Sequence, residues 1–403
     1  MLSAGQIVSA AGDASERWRN ADFPPRVRAT QAIVRRTGYT EPVVDYALDA
    51  LFGSIDRATL VATIAGELGS LEALDGFITR PGRPDVFFRS VGTVAIVSSD
   101  TTIGVAIPAF VFALCAKARV GVKDRDDGLV AAFAASLADE RPELRSAMSV
   151  AAWSGEDPDA GAIALLARAG AVVAYGRSAS LAAIRARTAP AARFFGFEHR
   201  TSVGYVTREN LDDPSAAAAC ARGIATDALL YDGDGCLSLH AAFVERGGAL
   251  GPAAFAALAA KAFDAAAIEF PAGYSEFDPA TAAYASAARF RAAQGEGAVF
   301  GGTTGPHLIV LDPPRDQAPP LLRRTLALYA VDGPEEALTI VRRHQLPLEA
   351  VASDWAGRDD VEALAIASGA SRLAPLGTLQ RPPLGGEHGG VGRILPFVRP
   401  IYR

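Results

Sequence analysis

Cys236 lies in the run YDGDGCLSLHAAFVE, residues 231–245, between Gly233 and Gly235 on one side and an apolar run on the other. The pattern reads as a tight glycine-rich hairpin between two β-like runs. A cysteine held that way suits covalent acyl chemistry, because the backbone folds closely round the sulfur and its N–H groups can face an oxyanion on an attacked carbonyl. The competing reading is a small buried hydrophobe, the usual role of a free cysteine. His240 follows four residues later. Along an extended strand that spacing spans about 13 Å, so a Cys–His hydrogen bond requires the turn to fold back. Ser238 and Gly235 are read as shapers of the turn.

A second set of residues suits anion binding. Tyr175, Gly176, Arg177 and Ser178 join the strand AVVAYG to the helix SLAAIRART, and backbone N–H groups at a helix N-terminus favour anions. The turn lacks the full G-x-G-x-x-G fingerprint of a dinucleotide site. Lys123 ends the strand RVGVK, at the carboxyl edge of the same expected sheet. The glycine run 295–305, GEGAVFGGTTG, lacks a following Lys-Ser/Thr and reads as a flexible loop lining a ligand entrance.

The elements that must position these groups alternate. The first 80 or so residues read as helices, with apolar residues three to four apart in Pro24–Arg36, Glu41–Phe52 and Asp56–Leu68. From Val91 strands and helices alternate through RFFGF, which predicts a parallel sheet covered on both faces, with nucleotides bound at its carboxyl ends. A second α/β unit follows, containing alanine-rich helices from Pro214, Pro252 and Pro279 and the strands PHLIVLD, RTLALYAV and LEAVAS. The predicted division is 1–85, helical and part of the nucleotide-binding domain; 86–206, the nucleotide-binding α/β domain; 207–375, the α/β domain that carries the candidate nucleophile; and 376–403, a loop and terminal strand. A terminal strand after a loose loop predicts docking on another domain or subunit, and a homo-oligomer.

Composition narrows the class. A chain of 403 residues, 50% hydrophobic, can bury cores for two domains. A net charge of −6, with arginines spread along the chain, argues against nucleic acid as a partner. Three cysteines without a C-x-x-C pair indicate neither a disulfide framework nor a zinc site, and point to a reducing, cytoplasmic setting. The N-terminus lacks a basic start followed by a long apolar run, so no signal peptide is expected. Residues 91–116 are apolar but interrupted by Asp100, the Thr101-Thr102 pair and Pro108, which fits a buried strand, loop and helix better than a membrane span. Cys115 and Cys220 read as packing residues, and His307, His344 and His388 share no metal-ligand spacing.

The segment FRSVGTVAIVSSDTTIGVAIPAFVFALCAKARVGVK resembles the core of the aldehyde dehydrogenase superfamily: a strand, a loop, a helix ending in Ala113-Leu114, and a strand ending in Lys123. AVVAYGRSASLAAIRARTAPAARFFGFEHRTSVGYV, DGCLSLHAAFVE and the closing GRILPFVRPIYR are similar to its acyl-CoA reductase branch, the LuxC-like fatty acid reductases of bacterial luminescence. The resemblance covers about Phe87 to Arg403. It implies an aldehyde dehydrogenase-like α/β fold of two doubly wound domains with a C-terminal strand used in oligomerisation. It also implies that Lys123 contacts the adenosine ribose, that Gly176 and Ser178 approach the cofactor phosphates, and that Ser98 and Tyr175 belong to the same cofactor set. Asp126 stands where a carboxylate would hold the ribose hydroxyls of NAD, while Arg125 would receive the extra phosphate of NADP. The family favours NADPH, with NADH as the alternative.

The resemblance makes Cys236 the acyl acceptor of an acyl-CoA reductase. The oxyanion would be held by the Cys236 N–H and by a loop side chain at Asp100, where the superfamily has Asn. An ionised Asp only accepts hydrogen bonds, so either Thr101 or Thr102 donates instead or catalysis is altered. Glu198 is the nearest match to the glutamate base of hydrolytic members, but its register is one residue short and the following glycine pair is absent, which favours reduction. His199 reads as a loop histidine. The implied partners are an acyl-CoA substrate and an acyl-protein synthetase or other acyl-donor protein. The alternatives are a CoA-independent aldehyde dehydrogenase and a non-catalytic binding protein of the same fold.

Overall fold

In a computed structural model, which describes residues 2–99, 102–124, 128–153, 159–301, 307–313 and 318–403, four helices open the chain. Helix α1 (Ala4–Arg19) starts at a capping box formed by Ser3 and Gln6. Helices α2 (Pro24–Thr37) and α3 (Glu41–Ser54) follow. In α4 (Arg57–Leu68) the Asp56 carboxylate accepts from the Thr59 N–H, and Gly69 ends the helix at φ 90°. The spacing of apolar residues foretold α2 to α4, whereas α1 is an addition to the expected helices.

The chain divides into two compact units. The first is Met1–Thr37, Val44–His199 and Pro383–Arg403; the second is Gly38–Val43 and Arg200–Pro382. In the first, β1 (Ile78–Arg80) and β2 (Arg83–Ser90) precede an alternating run. That run is β3 (Thr93–Val97), α5 (Ala106–Cys115), β4 (Arg119–Lys123), α6 (Leu129–Glu140), β5 (Met148–Ala151), α7 (Ala160–Arg168), β6 (Ala171–Gly176), α8 (Ser178–Arg187) and β7 (Arg193–Glu198). The sheet order is β5-β4-β3-β6-β7, with every pairing parallel. Parallel strands are buried on both faces. Accordingly Ala95, Val97, Val172 and Ala174 pack under Leu166, Leu181 and Ile184 of α7 and α8.

The second unit comprises β8 (Thr201–Val206), α9 (Arg208–Asp212), α10 (Pro214–Leu229), β9 (Leu239–Glu245), α11 (Pro252–Glu269), α12 (Pro279–Ala293) and β10 (Ala298–Phe300). It continues with β11 (Leu308–Leu311), β12 (Thr325–Val331), α13 (Pro334–Arg343), β13 (Leu348–Ser353), α14 (Asp359–Ser368) and β14 (Arg372–Ala374). Its order is β10-β11-β12-β9-β8-β13-β14, parallel except for β10. One face packs against Phe255 and Phe263 of α11, the other against Ile340, Val341 and Leu364 of α13 and α14. The last strand, β15 (Val398–Tyr402), completes a three-stranded sheet β1-β2-β15 in the first unit.

Three features differ from the sequence reading. The apolar run before Cys236 is not a strand. Ala228 and Leu229 extend the buried face of α10, and a 3-10 turn (Leu230–Gly233) follows, so the cysteine sits between helix and strand rather than in a hairpin. The terminal strand follows the second unit and docks on the first, where it pairs antiparallel with β2, from Val398↔Ser90 to Tyr402↔Val86. The Arg193 guanidinium fixes its approach by donating to the Leu395 and Val398 carbonyls at 2.9 and 2.7 Å. Ala298–Phe300, expected within a flexible loop, is the antiparallel edge strand β10. The second unit opens at Arg200, ahead of position 207, because Thr201–Val206 hydrogen-bonds to β9 and β13. No helix among the described residues is long and apolar enough to cross a membrane.

Candidate active site

At the carboxyl edge of the first unit's sheet stand Ser98, Lys123, Tyr175, Gly176, Ser178 and Glu198, as the alternation of strands predicts. Ser98 and Lys123 are buried at 2% exposure, and the Lys123 ammonium lies 5.2 Å from the Trp153 ring centroid. A cation over an aromatic face at that distance is stabilised by the ring quadrupole. Asp124, buried next to it, accepts from the Val130 N–H of α6 at 3.2 Å. Tyr175 stacks on Phe197 with ring centroids 5.2 Å apart, and His388 meets both rings edge-on. Helix α8 has Arg177 as its N-cap, with no side-chain hydrogen bond closing its first turn. The Ser178 hydroxyl donates to the exposed Glu198 carboxylate. Asp100, Thr101, Arg125 and Asp126 lie outside the described residues.

Cys236 occupies the amino end of β9 in the second unit. The Ser238 N–H donates to the Gly235 carbonyl at 2.9 Å and closes the turn around the cysteine, and the Ser202 hydroxyl donates to the Cys236 carbonyl, also at 2.9 Å. Ahead of the turn, Tyr231 and Asp232 adopt φ of 55° and 52°, and Gly233 adopts 85°. Left-handed backbone is unfavourable for residues with a Cβ and persists only where surroundings enforce it. The enforcing group is Arg324, which is fully buried. Its Nη1 donates to the Asp232 carboxylate at 3.0 Å, its Nη2 to the Phe270 carbonyl at 2.8 Å, and its backbone N–H to the Asp232 carbonyl at 3.0 Å. Tyr39 meets Tyr231 edge-on.

The thiol is tuned by its surroundings. Burial pushes Cys236 up to about 12, and the Glu349 carboxylate adds to the rise, while the Arg200 guanidinium and the N–H groups of Cys236 and Leu237 act in the opposite direction. Residues 234–238 form a turn rather than an extended strand, so the 13 Å spacing of an extended run does not hold for His240. His240 is buried on β9, and its Cε1 would lie 3.3 Å from a Cβ placed on Gly233. Cys115 and Cys220 are buried and held far from ionisation, Cys115 up to about 12 and Cys220 up to about 11, chiefly by burial. Among the described residues, no group of three or more His, Cys, Asp or Glu is arranged to hold a metal ion.

The sequence matches the family described as acyl-CoA reductase (LuxC) over residues 1–399. The chain belongs to the LuxC acyl-CoA reductase family. No curated protein matches it by sequence. Its fold is similar to that of an NAD-dependent benzaldehyde dehydrogenase from Corynebacterium glutamicum, at TM-score 0.67 and 12% identity, covering 100% of this chain and 86% of that one. An oxidoreductase from Marinobacter aquaeolei gives TM-score 0.69 at 13% identity over 99% and 84% of the two chains. Aldehyde dehydrogenase 21 from Physcomitrella patens, in complex with the reaction product succinate, gives 0.68 at 12% over 99% and 85%. This LuxC member therefore has the aldehyde dehydrogenase-like α/β fold, and family and fold together support an oxidoreductase of aldehyde-related chemistry.

Sequence reasoning did not single out Arg324, Asp227, Gln380, Ser202 or Glu349 for this site. A charged residue inside an otherwise buried helical face, as Asp227 is in α10, is the one signal that could have drawn attention. The others reach the cysteine only through tertiary contacts.

Proposed function

We propose that this LuxC protein reduces an acyl-CoA thioester, in a fatty acyl series, to the aldehyde through a covalent acyl-Cys236 intermediate. The observation that carries the reading is the constrained turn that presents a single partly exposed cysteine on a chain of this family. The Cys236 sulfur, as thiolate, adds to the thioester carbonyl; the tetrahedral oxyanion receives the Cys236 N–H and collapses, expelling CoA thiolate and leaving an acyl thioester on the protein. Burial holds the Cys236 thiol above its ordinary value, so a bound substrate that favours the thiolate would assist attack.

The first unit has the features a nicotinamide cofactor requires. Lys123 and Ser98 at the strand ends and the open N-terminus of α8 at Gly176 and Ser178 would hold ribose and phosphate, with Tyr175 beside them. When bound, that cofactor supplies the hydride that turns the acyl thioester into aldehyde. NADPH is the favoured cofactor and NADH the alternative. Glu198, engaged with Ser178, is assigned to the cofactor edge rather than to water activation. A protein acyl donor and a homo-oligomer that uses the outer edge of β15 complete the proposal.

The test incubates the protein with acyl-CoA of graded chain length and NADPH or NADH, following nicotinamide absorbance and acyl adducts by intact mass. The expected result is aldehyde formation, with an adduct on Cys236, both lost in Cys236→Ala. Turnover that persists in that variant sinks the mechanism.

A further inference from the structure

We propose that Gln380 is a positioning residue for Cys236: its amide, anchored on the carbonyl of Asp227, holds the Ser238 hydroxyl and so fixes the turn that carries the thiol. This inference rests on the reading of Cys236 as acyl acceptor. Ser238 is fully buried and Gln380 is 7% exposed. The Gln380 Nε2 donates to the Asp227 carbonyl at 3.1 Å and to the Ser238 Oγ at 3.2 Å, so both its N–H donors are engaged. Ser238 in turn closes the turn through its own N–H to Gly235, at 2.9 Å.

The segment that delivers Gln380 is itself held in place. The Asp227 carboxylate accepts from the Gly377 N–H at 2.7 Å and the Leu379 N–H at 3.1 Å. Helix α10 and this segment touch backbone to backbone, since a Cβ on Gly223 would lie 2.7 Å from the Leu376 carbonyl carbon and 2.9 Å from the Gly377 nitrogen. Gly377 adopts φ 82°, a conformation suited to glycine. Asp227 thus has a task outside the chemistry: it fixes residues 377–380 against α10. At Gly235 a Cβ would lie 3.3 Å from the Ser238 Oγ, so the glycine lets that hydroxyl sit close against the turn. The chain of contacts Asp227, Gln380, Ser238, Gly235 converts a flexible turn into a fixed one, and small displacements of a reacting atom lower rates by large factors.

The test uses the full-length protein. Gln380→Met removes both donors at similar volume, and Ser238→Ala removes the same link from the other end. Each variant is expected to lower kcat for acyl-CoA reduction about five- to twentyfold with KM within about twofold. Iodoacetamide modification of Cys236, located by peptide mass, is expected to speed up about threefold or more, because a looser turn exposes the sulfur while losing its alignment. Partial loss of folded protein would also lower apparent kcat at unchanged KM, so kcat is expressed per active site, titrated by the acyl adduct on Cys236. The double variant should be no slower than the slower single one, as expected for one shared link. Unchanged kcat and alkylation in a folded Gln380→Met variant, or in Ser238→Ala if the first does not fold, overturns the inference, as does full additivity. If Cys236→Ala remains active, the covalent reading fails instead, and the alkylation rates still report whether Gln380 fixes the turn.

Discussion

The first unit gathers its candidate groups at the carboxyl ends of parallel strands, whereas the second holds its cysteine at the amino end of one. The carboxyl edge follows from topology: each parallel strand feeds a helix, and the helix N-terminus presents unpaired N–H groups there whatever the side chains are. Its residues therefore lie close in sequence to the strand ends, as Lys123 and Ser178 do. The cysteine turn has no such general support. It is held by side chains from positions 202, 324 and 380, far away in sequence and mostly buried. One region should tolerate single changes, and the other should not.

The largest expected effect tests that difference at Arg324. Arg324→Met leaves the Asp232 carboxylate buried without its cation, which costs about 3–5 kcal/mol by the general behaviour of broken buried pairs. Urea unfolding measures it, and adding Asp232→Asn, which removes the unpaired charge and tolerates the left-handed backbone, should restore part of the loss. Equal stability of Arg324→Met and wild type would remove the claim that this pair enforces the left-handed turn.

Asp227 comes next. Burial lifts its carboxyl to about 7 from 3.8, even though the Gly377 and Leu379 amides favour ionisation. Between those two values the folded protein keeps a proton that the unfolded chain has released. Its contribution is therefore fully present below about pH 4, declines as pH rises through 7 and is flat above. The decline amounts to a few kcal/mol at most, at about 1.4 kcal/mol per pH unit. Asp227→Asn should lack this component, so the difference between variant and wild-type denaturation curves should slope from pH 4 to 7; a level difference contradicts the assignment.

The thiol's response is read as a rate. With Cys236 pushed up to about 12, its alkylation rate should rise about tenfold per pH unit from 7 to 10 without a plateau. Glu349→Gln removes a carboxylate that raises the thiol, and should speed alkylation a few-fold at each pH. A plateau below pH 9 would mean that the sulfur is already ionised by a partner. The smallest effect belongs to the other unit: Ser178→Ala removes an exposed hydrogen bond to Glu198 and should weaken nicotinamide-cofactor binding less than about fivefold by fluorescence titration. A loss as large as that at Arg324 would erase the contrast between the regions.

Much of the first unit was legible in sequence because period and composition are local. Apolar runs of strand length between helices of 3.6 period define β3 to β7, and Lys123, Tyr175 and Ser178 fall at their ends by counting alone. The run before Cys236 was misread for the same reason. Ala228, Leu229 and Leu230 are apolar in either a strand or a helix, and only the packing of α10 on Phe255 and Phe263 selects the helix. The terminal strand was legible as a strand, but its partner was not, since an edge's hydrogen-bonding groups carry no sequence label.

From the sequence alone follow the alternating α/β class, the cysteine as the candidate nucleophile and the glycines that permit its turn, because these depend on residue type and short spacing. Tertiary structure alone decided which end of the sheet the cysteine occupies and which side chains hold it. Arg324, Gln380 and Asp227 act across separations of 92, 142 and 150 residues, and a buried polar group finds its partner through the burial of everything around it, not through its neighbours in the chain.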